Sequence, residues 1–445
     1  MRRFSVVPLL SCLFCIAAPA QQKTEPPLLT LDDAIRAAID HNRQLESSAE
    51  DVQKAREAVA KAVAARYPQF NASVLSGVAL NPIHFTIPKG AIGNVPGLGP
   101  LPAQDVDYTA GRKMTALVHA SVAQPVSQLF KINLGLREAR VGEALAEENL
   151  RLNRQKTTAQ VREAYYRLAQ AASEIASSEA LLRYLEEFSS LMERRLAEEA
   201  VLKSDLLAVK AKAGQQRYQL LTRRDDLETD KEAMNRLLGR DLETDFSVEP
   251  MPAPSFEELD PEAARSHALD RRPEMHQSQL QMEKAALEVR RERAEYLPNL
   301  SLQVSYLTFT NVEFAPQNLS SAGVLFDWQP FDWGQKHHKL EQLRATEHQA
   351  ELSRDDVRDQ VLIDVDTQFR KLAEARALME AREANHAAAE EKLRVTLQRY
   401  EQKAALASDV LEQQAALADA DSQLHLALEA FWTAKAEFHR AMGEE

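Results

Sequence analysis

Residues 298–306 read PNLSLQVSY, and this stretch sets the plan of the chain. Apolar residues at every second position alternate with serine and glutamine, which is the period of a β-strand with two different faces. Pro298 stands just before the strand, at the end of a helical pattern, because proline cannot continue a helix. A partner strand is predicted at residues 320–331. The sequence therefore predicts a helix, a sharp break and a pair of strands.

The same plan occurs earlier in the chain, which indicates two tandem copies of one unit. Pro68 takes the position of Pro298, between a helix predicted at residues 31–66 and a strand at residues 71–80, whose partner is predicted at residues 114–126. Thr30 is the expected N-cap of that helix. Further pairs of matching residues support the two copies: Val161, Tyr165 and Leu168 with Val365, Phe369 and Leu372; Ser204-Asp205-Leu206-Leu207 with Ser408-Asp409-Val410-Leu411; and Leu238-Gly239 with Met442-Gly443.

Each copy continues with a very long helix, predicted at residues 134–198 and 335–402. At 1.5 Å per residue, each helix would be ~100 Å long. Apolar residues at spacings of three and four indicate a coiled-coil seam. A shorter helix follows, at residues 205–238 in the first copy. We expect repeats at residues 21–249 and 262–445, joined by a proline-rich linker at residues 250–261, and an elongated helical barrel.

The N-terminus is typical of a secretory signal peptide at residues 1–20. Arg2 and Arg3 precede an apolar stretch, and Ala18-Pro19-Ala20 is a small-x-small cleavage site. We expect cleavage after Ala20, which would remove both cysteines of the chain. The alternative is lipidation at Cys12, because Leu9-Leu10-Ser11-Cys12 is similar to a lipobox.

Charge and motifs argue against several classes of function. The formal charge is −13 and there is no basic run, so nucleic acid is not an expected partner. No histidine is followed by glutamate, and no phosphate-binding loop occurs, so neither an enzyme nor a cofactor is expected. His337 and His338 are adjacent and would point to different sides of a helix, which does not favour a metal site.

The predicted strands have the length of tilted strands that cross a bilayer, about 10 residues. A β-structure in lipid must close on itself, because every backbone polar group needs a partner there. One chain supplies only four strands, and known bacterial barrels have at least about 8. The barrel must therefore be shared. This argument leaves open whether two chains give eight strands or three chains give twelve.

The order of these features resembles the TolC-type outer-membrane efflux protein family over nearly the whole mature chain. The residues that carry the resemblance are Pro68 and Pro298, Gln124-Pro125 and Gln329-Pro330, the two Ser-Asp pairs, and Asn235-Arg236-Leu237-Leu238-Gly239. The resemblance implies a mainly α fold with a membrane β-barrel. Three protomers would share a 12-stranded barrel in outer-membrane lipid, above a periplasmic coiled-coil helical barrel. It also implies a passive exit duct that works with a periplasmic adaptor and an inner-membrane pump.

The resemblance also suggests site residues. Asp409 and Glu412 align with the acidic positions that constrict the family's pore, and their i, i+3 spacing puts them on one helix face. The first copy has Asp205 but Ala208, so it lacks the pair. The expected hairpin-tip residues for adaptor contact are Val201, Leu202, Ser204, Asp205, Ala405, Leu406 and Ser408.

A simpler interpretation of the tips is helix capping, with Ser204 and Ser408 as N-caps. The chain also departs from the family, which usually has glycine in these turns. Here the turns read Glu198-Glu199-Ala200 and Gln402-Lys403-Ala404, and Ala405 replaces a basic residue often found beside the acidic pair.

Two other segments allow more than one interpretation. Residues 81–112 form a Pro/Gly-rich insert, which is either a flexible surface loop or an extracellular cover or binding face. The aromatic residues near the last strand are either barrel core or an interfacial girdle: Phe326, Trp328, Phe331 and Trp333. The alternatives for the whole chain are an exported periplasmic coiled-coil scaffold and an adaptor protein.

Overall fold

The computed structural model describes residues 26–78, 80, 83–110, 114–199, 201–254, 256, 260–310 and 317–444. The predicted signal peptide and its alternative, lipidation at Cys12, lie outside the described residues.

Helices dominate the first part of the chain. The elements are β1 (Leu28–Leu29), α1 (Leu31–His41), α2 (Arg43–Ala64), β2 (Gln69–Gly77), β3 (Ile83–Ile87), β4 (Gly93–Val95), β5 (Gly99–Leu101), β6 (Val106–Ala110), β7 (Thr115–Pro125), α3 (Leu129–Ala197) and α4 (Lys203–Leu237). Helix α3 has 69 residues, so it is ~100 Å long.

The second part presents the same order of long elements. They are β8 (Ser247–Val248), α5 (Pro261–Arg271), α6 (Pro273–Ala294), β9 (Asn299–Thr310), β10 (Leu319–Asp327), α7 (Gln335–Glu401) and α8 (Ala407–Ala441). Helix α7 has 67 residues. None of the helices within the described ranges combines the length and the apolar character needed to cross a membrane.

The single helix predicted at residues 31–66 is wrong, because the chain bends at Asn42. Asn42 has an extended backbone, and its side chain accepts hydrogen bonds from the backbone N–H groups of Gln44 and Leu45. It therefore ends α1 and caps α2. Its Nδ2 also donates to the carbonyl of Leu237, at 2.8 Å. Thr30 is confirmed as the N-cap of α1, since its hydroxyl accepts from the N–H of Asp33.

The seams of the long helices are buried as their spacing predicts. Val161 and Leu168 of α3 are fully buried, as is Val365 of α7. Two described residues of the expected linker at residues 250–261 contact α8. The Phe256 ring contacts the Phe431 ring edge to face, and Trp432 Nε1 donates to the carbonyl of Pro252 at 3.2 Å.

One antiparallel sheet joins the strand pairs of both parts, in the order β10-β9-β7-β2. Directly paired residues lie on the same side of an antiparallel sheet, so the register assigns each residue to one of two faces. We call one of them the apolar sheet face. None of its paired residues is charged: Phe70, Ala72, Val74, Ser76, Ala116, Val118, Ala120, Val122, Gln124, Leu300, Leu302, Val304, Tyr306, Thr308, Thr310, Ser320, Ala322, Val324 and Phe326.

The opposite face, the mixed sheet face, carries polar residues together with several leucines. The polar members are Gln69, Asn71, Ser73, Thr115, His119, Ser121, Asn299, Ser301, Gln303, Ser305, Ser321 and Asp327. Strands β2 and β10 are exposed along their whole length. They are also the two edges of the sheet, so each has only one hydrogen-bonded neighbour within the described chain.

Strand β10 ends at Asp327, so the strand predicted to reach residue 331 is wrong at that end. Pro330 has no N–H to donate to a ladder, and the chain then turns through two left-handed residues, Trp333 (φ 57°) and Gly334 (φ 86°). Of the four aromatic residues considered together, only Phe326 lies within the strand.

The insert at residues 81–112 forms a β-ribbon in its described part, so its interpretation as a flexible loop is wrong. Strand β3 pairs with β6, and β4 pairs with β5 near the tip. Phe85 stacks on Tyr108 at 5.5 Å, and the Thr109 hydroxyl lies 2.8 Å from His84 Nδ1. These cross-strand pairs stabilise the ribbon.

Candidate functional site at the helical hairpin tips

Two helical hairpins, α3–α4 and α7–α8, end in short turns of the same type. Glu199 (φ 57°) and Lys403 (φ 62°) take the left-handed conformation at these turns. In the second turn, the N–H of Lys403 donates to the carbonyl of Tyr400 and the N–H of Ala404 to that of Arg399. This is a Schellman ending, in which glycine is the usual left-handed residue. Glu199 and Lys403 carry a Cβ, so the left-handed conformation strains their backbone. The lack of glycine in these two turns therefore adds backbone strain at both tips.

The predicted serine caps are wrong. Helix α4 begins at Lys203 after Leu202, and α8 begins at Ala407 after Leu406, so Ser204 and Ser408 are second helical residues. At the second tip an aspartate has the capping role, because the backbone N–H of Leu406 donates to Asp409 Oδ2 at 2.9 Å. A carboxylate in the first helical turn also interacts favourably with the helix dipole.

The acidic pair lies one turn apart at the start of α8. Asp409 is half-buried and Glu412 is exposed, and in the first hairpin Asp205 is half-buried without an acidic companion at Ala208. The described residues contain no cluster of three or more His, Cys, Asp or Glu side chains able to hold a metal ion.

Apolar side chains stand out at both tips. The side chains of Leu202 and Leu406 are 68% and 69% exposed, although each directly precedes a helix. Val201 and Ala405 are partly buried beside them. Beneath lies a small core that joins the hairpins, made of Phe188, Met192, Leu206, Val209 and Ala407.

Tyr400, near the end of α7, links the two hairpins and was not predicted from the sequence. Arg195 of α3 donates to the Tyr400 hydroxyl at 3.0 Å, and its guanidinium carbon lies 5.3 Å from the centre of the tyrosine ring. The same hydroxyl donates to the sulfur of Met192 at 3.4 Å, and the Phe188 ring packs edge to face at 5.9 Å. One feature of the sequence could have indicated Tyr400. The equivalent residue of the first hairpin is Leu196, so the two copies of the repeat differ at this position.

Farther from the tips, a polar cleft of about 570 Å³ separates the hairpins. Ser422 of α8 donates across it to Glu174 of α3 at 2.7 Å, while His386 and Asp421 face each other within the second hairpin at 3.6 Å. The hairpins contact each other on both sides of the cleft. The Tyr400 contacts and the small core join them at the tips, and beyond the cleft Trp432 of α8 packs on Tyr166 of α3 at 5.9 Å.

The second half of the chain carries the sequence signal of a known family. Residues 264–444 match the family model described as outer membrane efflux protein. The match covers less than half of the chain. Tyr400 and the acidic pair lie within the matched residues, and the first tip, with Val201 and Leu202, lies before them.

Solved structures of outer membrane proteins share the fold of this chain. The outer membrane protein VceC of Vibrio cholerae is 17% identical, with 93% of this chain and 96% of that chain covered and a TM-score of 0.73. The CmeC outer membrane channel of Campylobacter jejuni is 15% identical, with 93% and 85% covered and a TM-score of 0.76. The open-state MtrE outer membrane channel of Neisseria gonorrhoeae is 15% identical, with 93% and 89% covered and a TM-score of 0.69. No curated protein matches the sequence.

Proposed function

We propose that three copies of this chain form an exit duct in the outer membrane. Four strands from each chain close a 12-stranded β-barrel in the lipid. The long helices continue the duct into the periplasm, where an adaptor and an inner-membrane pump deliver the substrate. The chain conducts substrates passively and catalyses no reaction on them.

The observation that carries this proposal is the four-stranded sheet. Its apolar face is uncharged, and Leu302 and Val304 are more than half exposed on it, at 52% and 56%. Both edges of the sheet lack partners within the described chain. An open sheet with an exposed apolar face and two free edges would aggregate in water. In lipid, closure with other copies satisfies the edges, and the apolar face contacts the acyl chains.

Exposed aromatic residues at the junction of the sheet and the helices support a membrane boundary at this level. Trp328, Phe331 and Trp333 are all exposed, Trp333 by 86%. Trp328 Nε1 donates to the carbonyl of Tyr296, which stands at the other helix-to-strand junction. Aromatic side chains of this kind favour the headgroup region, so we interpret them as an interfacial girdle rather than barrel core.

The tips supply the gate in this proposal. Three copies of Asp409 and Glu412 surround the narrow periplasmic end, and the Tyr400–Arg195 contact holds each α7–α8 hairpin in the closed position. Opening separates the hairpins at the tips and along the polar cleft. The exposed Leu202 and Leu406 are the apolar anchors for the adaptor's helical hairpins, with Ser204, Asp205 and Ser408 beside them.

We further propose that residues 21–249 and 262–445 are two structural repeats, with residues 250–261 as the connection. The shared order of long elements supports this division. We also propose that the signal is cleaved after Ala20. The intact mass of the purified protein distinguishes this from a lipid on Cys12, which would add the mass of the acyl chains.

Single-channel recording tests the duct. The mature protein is purified in detergent and added to planar lipid bilayers, and the control is the same preparation after heat unfolding. We expect discrete conductance steps from the folded protein only. A protein that extracts from cells without detergent and gives no conductance would instead be a periplasmic scaffold or adaptor.

A further inference from the structure

The free edges of the sheet define how two copies of the chain meet. Within the described residues, strand β2 is hydrogen-bonded only to β7, and β10 only to β9. In the proposed barrel, β10 of one copy must lie beside β2 of the next. The following inference rests on that proposed assembly, and it specifies the residue pairs that join the copies.

The two strand pairs of the chain are equivalent to each other residue by residue. Strands β2 and β7 pair from Gln69 opposite Ala123 onward, and β9 and β10 pair from Asn299 opposite Asp327 onward. Each ladder starts one residue after a proline and runs for nine residue pairs. Gln69 is therefore equivalent to Asn299, and Ala123 to Asp327.

The junction between β7 and β9 is the observed template for a contact between neighbouring pairs. There Ser121 lies opposite Ser305, and Val122 lies opposite Val304. The residues equivalent to Ser121 and Val122 in β10 are Leu325 and Phe326.

We infer that β10 pairs antiparallel with β2 of the neighbouring copy in the register that the β7–β9 junction defines. This register places Leu325 opposite Leu75 of the partner subunit, and Phe326 opposite Val74 of the partner subunit. It also places Asp327 opposite Ser73 of the partner subunit. The barrel closes when three copies repeat this contact.

The two faces of the sheet provide an independent check. In the inferred register, Phe326 and the partner's Val74 both lie on the apolar sheet face, and Asp327 and the partner's Ser73 both lie on the mixed face. If β10 were shifted by one residue along the partner's β2, the apolar sheet face of one chain would continue into the mixed sheet face of the other. Asp327 would then lie on the same side of the barrel as the partner's apolar sheet face. Shifts by two residues keep the faces, so an experiment must separate those registers.

Disulfide cross-linking distinguishes the registers, because both native cysteines lie in the predicted signal peptide. We would compare three double variants: Leu325→Cys with Leu75→Cys, with Ser73→Cys and with Gly77→Cys. Directly opposite residues have Cβ atoms about 4.5–5.5 Å apart, whereas diagonal neighbours are about 7–8 Å apart. Disulfides need Cβ atoms within about 4.5 Å, so only the direct pair comes close enough for efficient oxidation. The unsubstituted protein is the control for any residual thiol.

We expect the Leu75/Leu325 variant to shift from a monomer to a covalent trimer on a non-reducing denaturing gel. The two displaced variants should remain mainly monomeric, although native mass spectrometry still finds three copies. Preferred cross-linking of Ser73→Cys or Gly77→Cys would overturn the register but leave the trimer intact. A monomer in native mass spectrometry, with no cross-link in any variant, would contradict the proposed assembly itself.

Discussion

Replacing Tyr400 by phenylalanine removes one hydroxyl group from the link between the two hairpins and leaves the ring in place. The hydroxyl accepts from Arg195 at 3.0 Å and donates to Met192 at 3.4 Å. The ring contacts with Phe188 and with the Arg195 guanidinium should remain. The variant thus tests whether this hydroxyl holds the α7–α8 hairpin in its closed position.

The expected magnitude follows from the lost hydrogen bond. A hydrogen bond to a charged group contributes about 1.5–3 kcal/mol, and Arg195 and Tyr400 are both half-buried, so we take about 1–2 kcal/mol per chain. Since 1.4 kcal/mol is about a factor of ten, the closed state should lose roughly 5- to 30-fold in relative population for each hairpin. The three chains contribute together if the hairpins open as a unit.

Single-channel recording in planar bilayers measures this effect as a larger open probability or a larger mean conductance. Tyr184→Phe is the matched control. Tyr184 also lies on α3 beside Phe188, but its hydroxyl is buried without a hydrogen-bond partner in the described part of the chain. Tyr184→Phe should leave gating unchanged. Equal conductance of Tyr400→Phe and the unsubstituted channel would refute the role of the hydroxyl in closure.

Three other predictions test separate parts of the structure. Gly239 has φ 69°, and a Cβ there would lie 1.9 Å from a backbone carbonyl oxygen of α1; Gly239→Ala should therefore lower the free energy of unfolding by at least about 2 kcal/mol. Gly214→Ala, in the middle of α4 where an added Cβ meets no other atom, should raise the free energy of unfolding by up to about 1 kcal/mol. Urea unfolding followed by circular dichroism compares the stabilities of these two variants. Burial and then the nearby Glu163 raise the pKa of Glu429, so its ionised form destabilises the fold. Glu429→Gln should increase the thermal stability at pH 8, and this gain should disappear as the pH falls to about 4, below the ordinary glutamate pKa; an equal gain at both pH values would contradict this. The double variant Asp409→Asn, Glu412→Gln should reduce the cation selectivity of the channel at 0.1 M salt. At 1 M salt, where the Debye length is about 3 Å, its selectivity should differ little from that of the unsubstituted channel. Unchanged selectivity at low salt would leave Asp409 with only its capping role.

Periodicity and proline positions predicted most of the fold. The ends of α3 and α7 fall within a few residues of their predicted positions, because the tip turns are strong local signals. The prolines Pro68 and Pro298 likewise marked the ends of the shorter helices α2 and α6. The bend at Asn42 was not predicted, because asparagine within a helical pattern gives only a weak signal. Its role depends on a hydrogen bond to Leu237, which is distant in sequence.

The candidate site was predicted less completely. The tips were located correctly in sequence, but the cap was assigned to Ser408 rather than to Asp409, since both residue types suit the first turn of a helix. Tyr400 was missed because its contact with Arg195 joins two hairpins that only the tertiary structure brings together. The ribbon in the insert was missed for a similar reason, because its Pro/Gly content obscured the Phe85–Tyr108 pairing.

The stoichiometry of the folded protein tests the central claim most directly. The account proposes that three chains close one barrel, and the described residues of a single chain form a sheet of four strands with two free edges, which cannot close alone. Native mass spectrometry of the mature protein, released from detergent micelles, should give a complex of three copies. A stable monomer, or a dimer that stays soluble without detergent, would contradict the account.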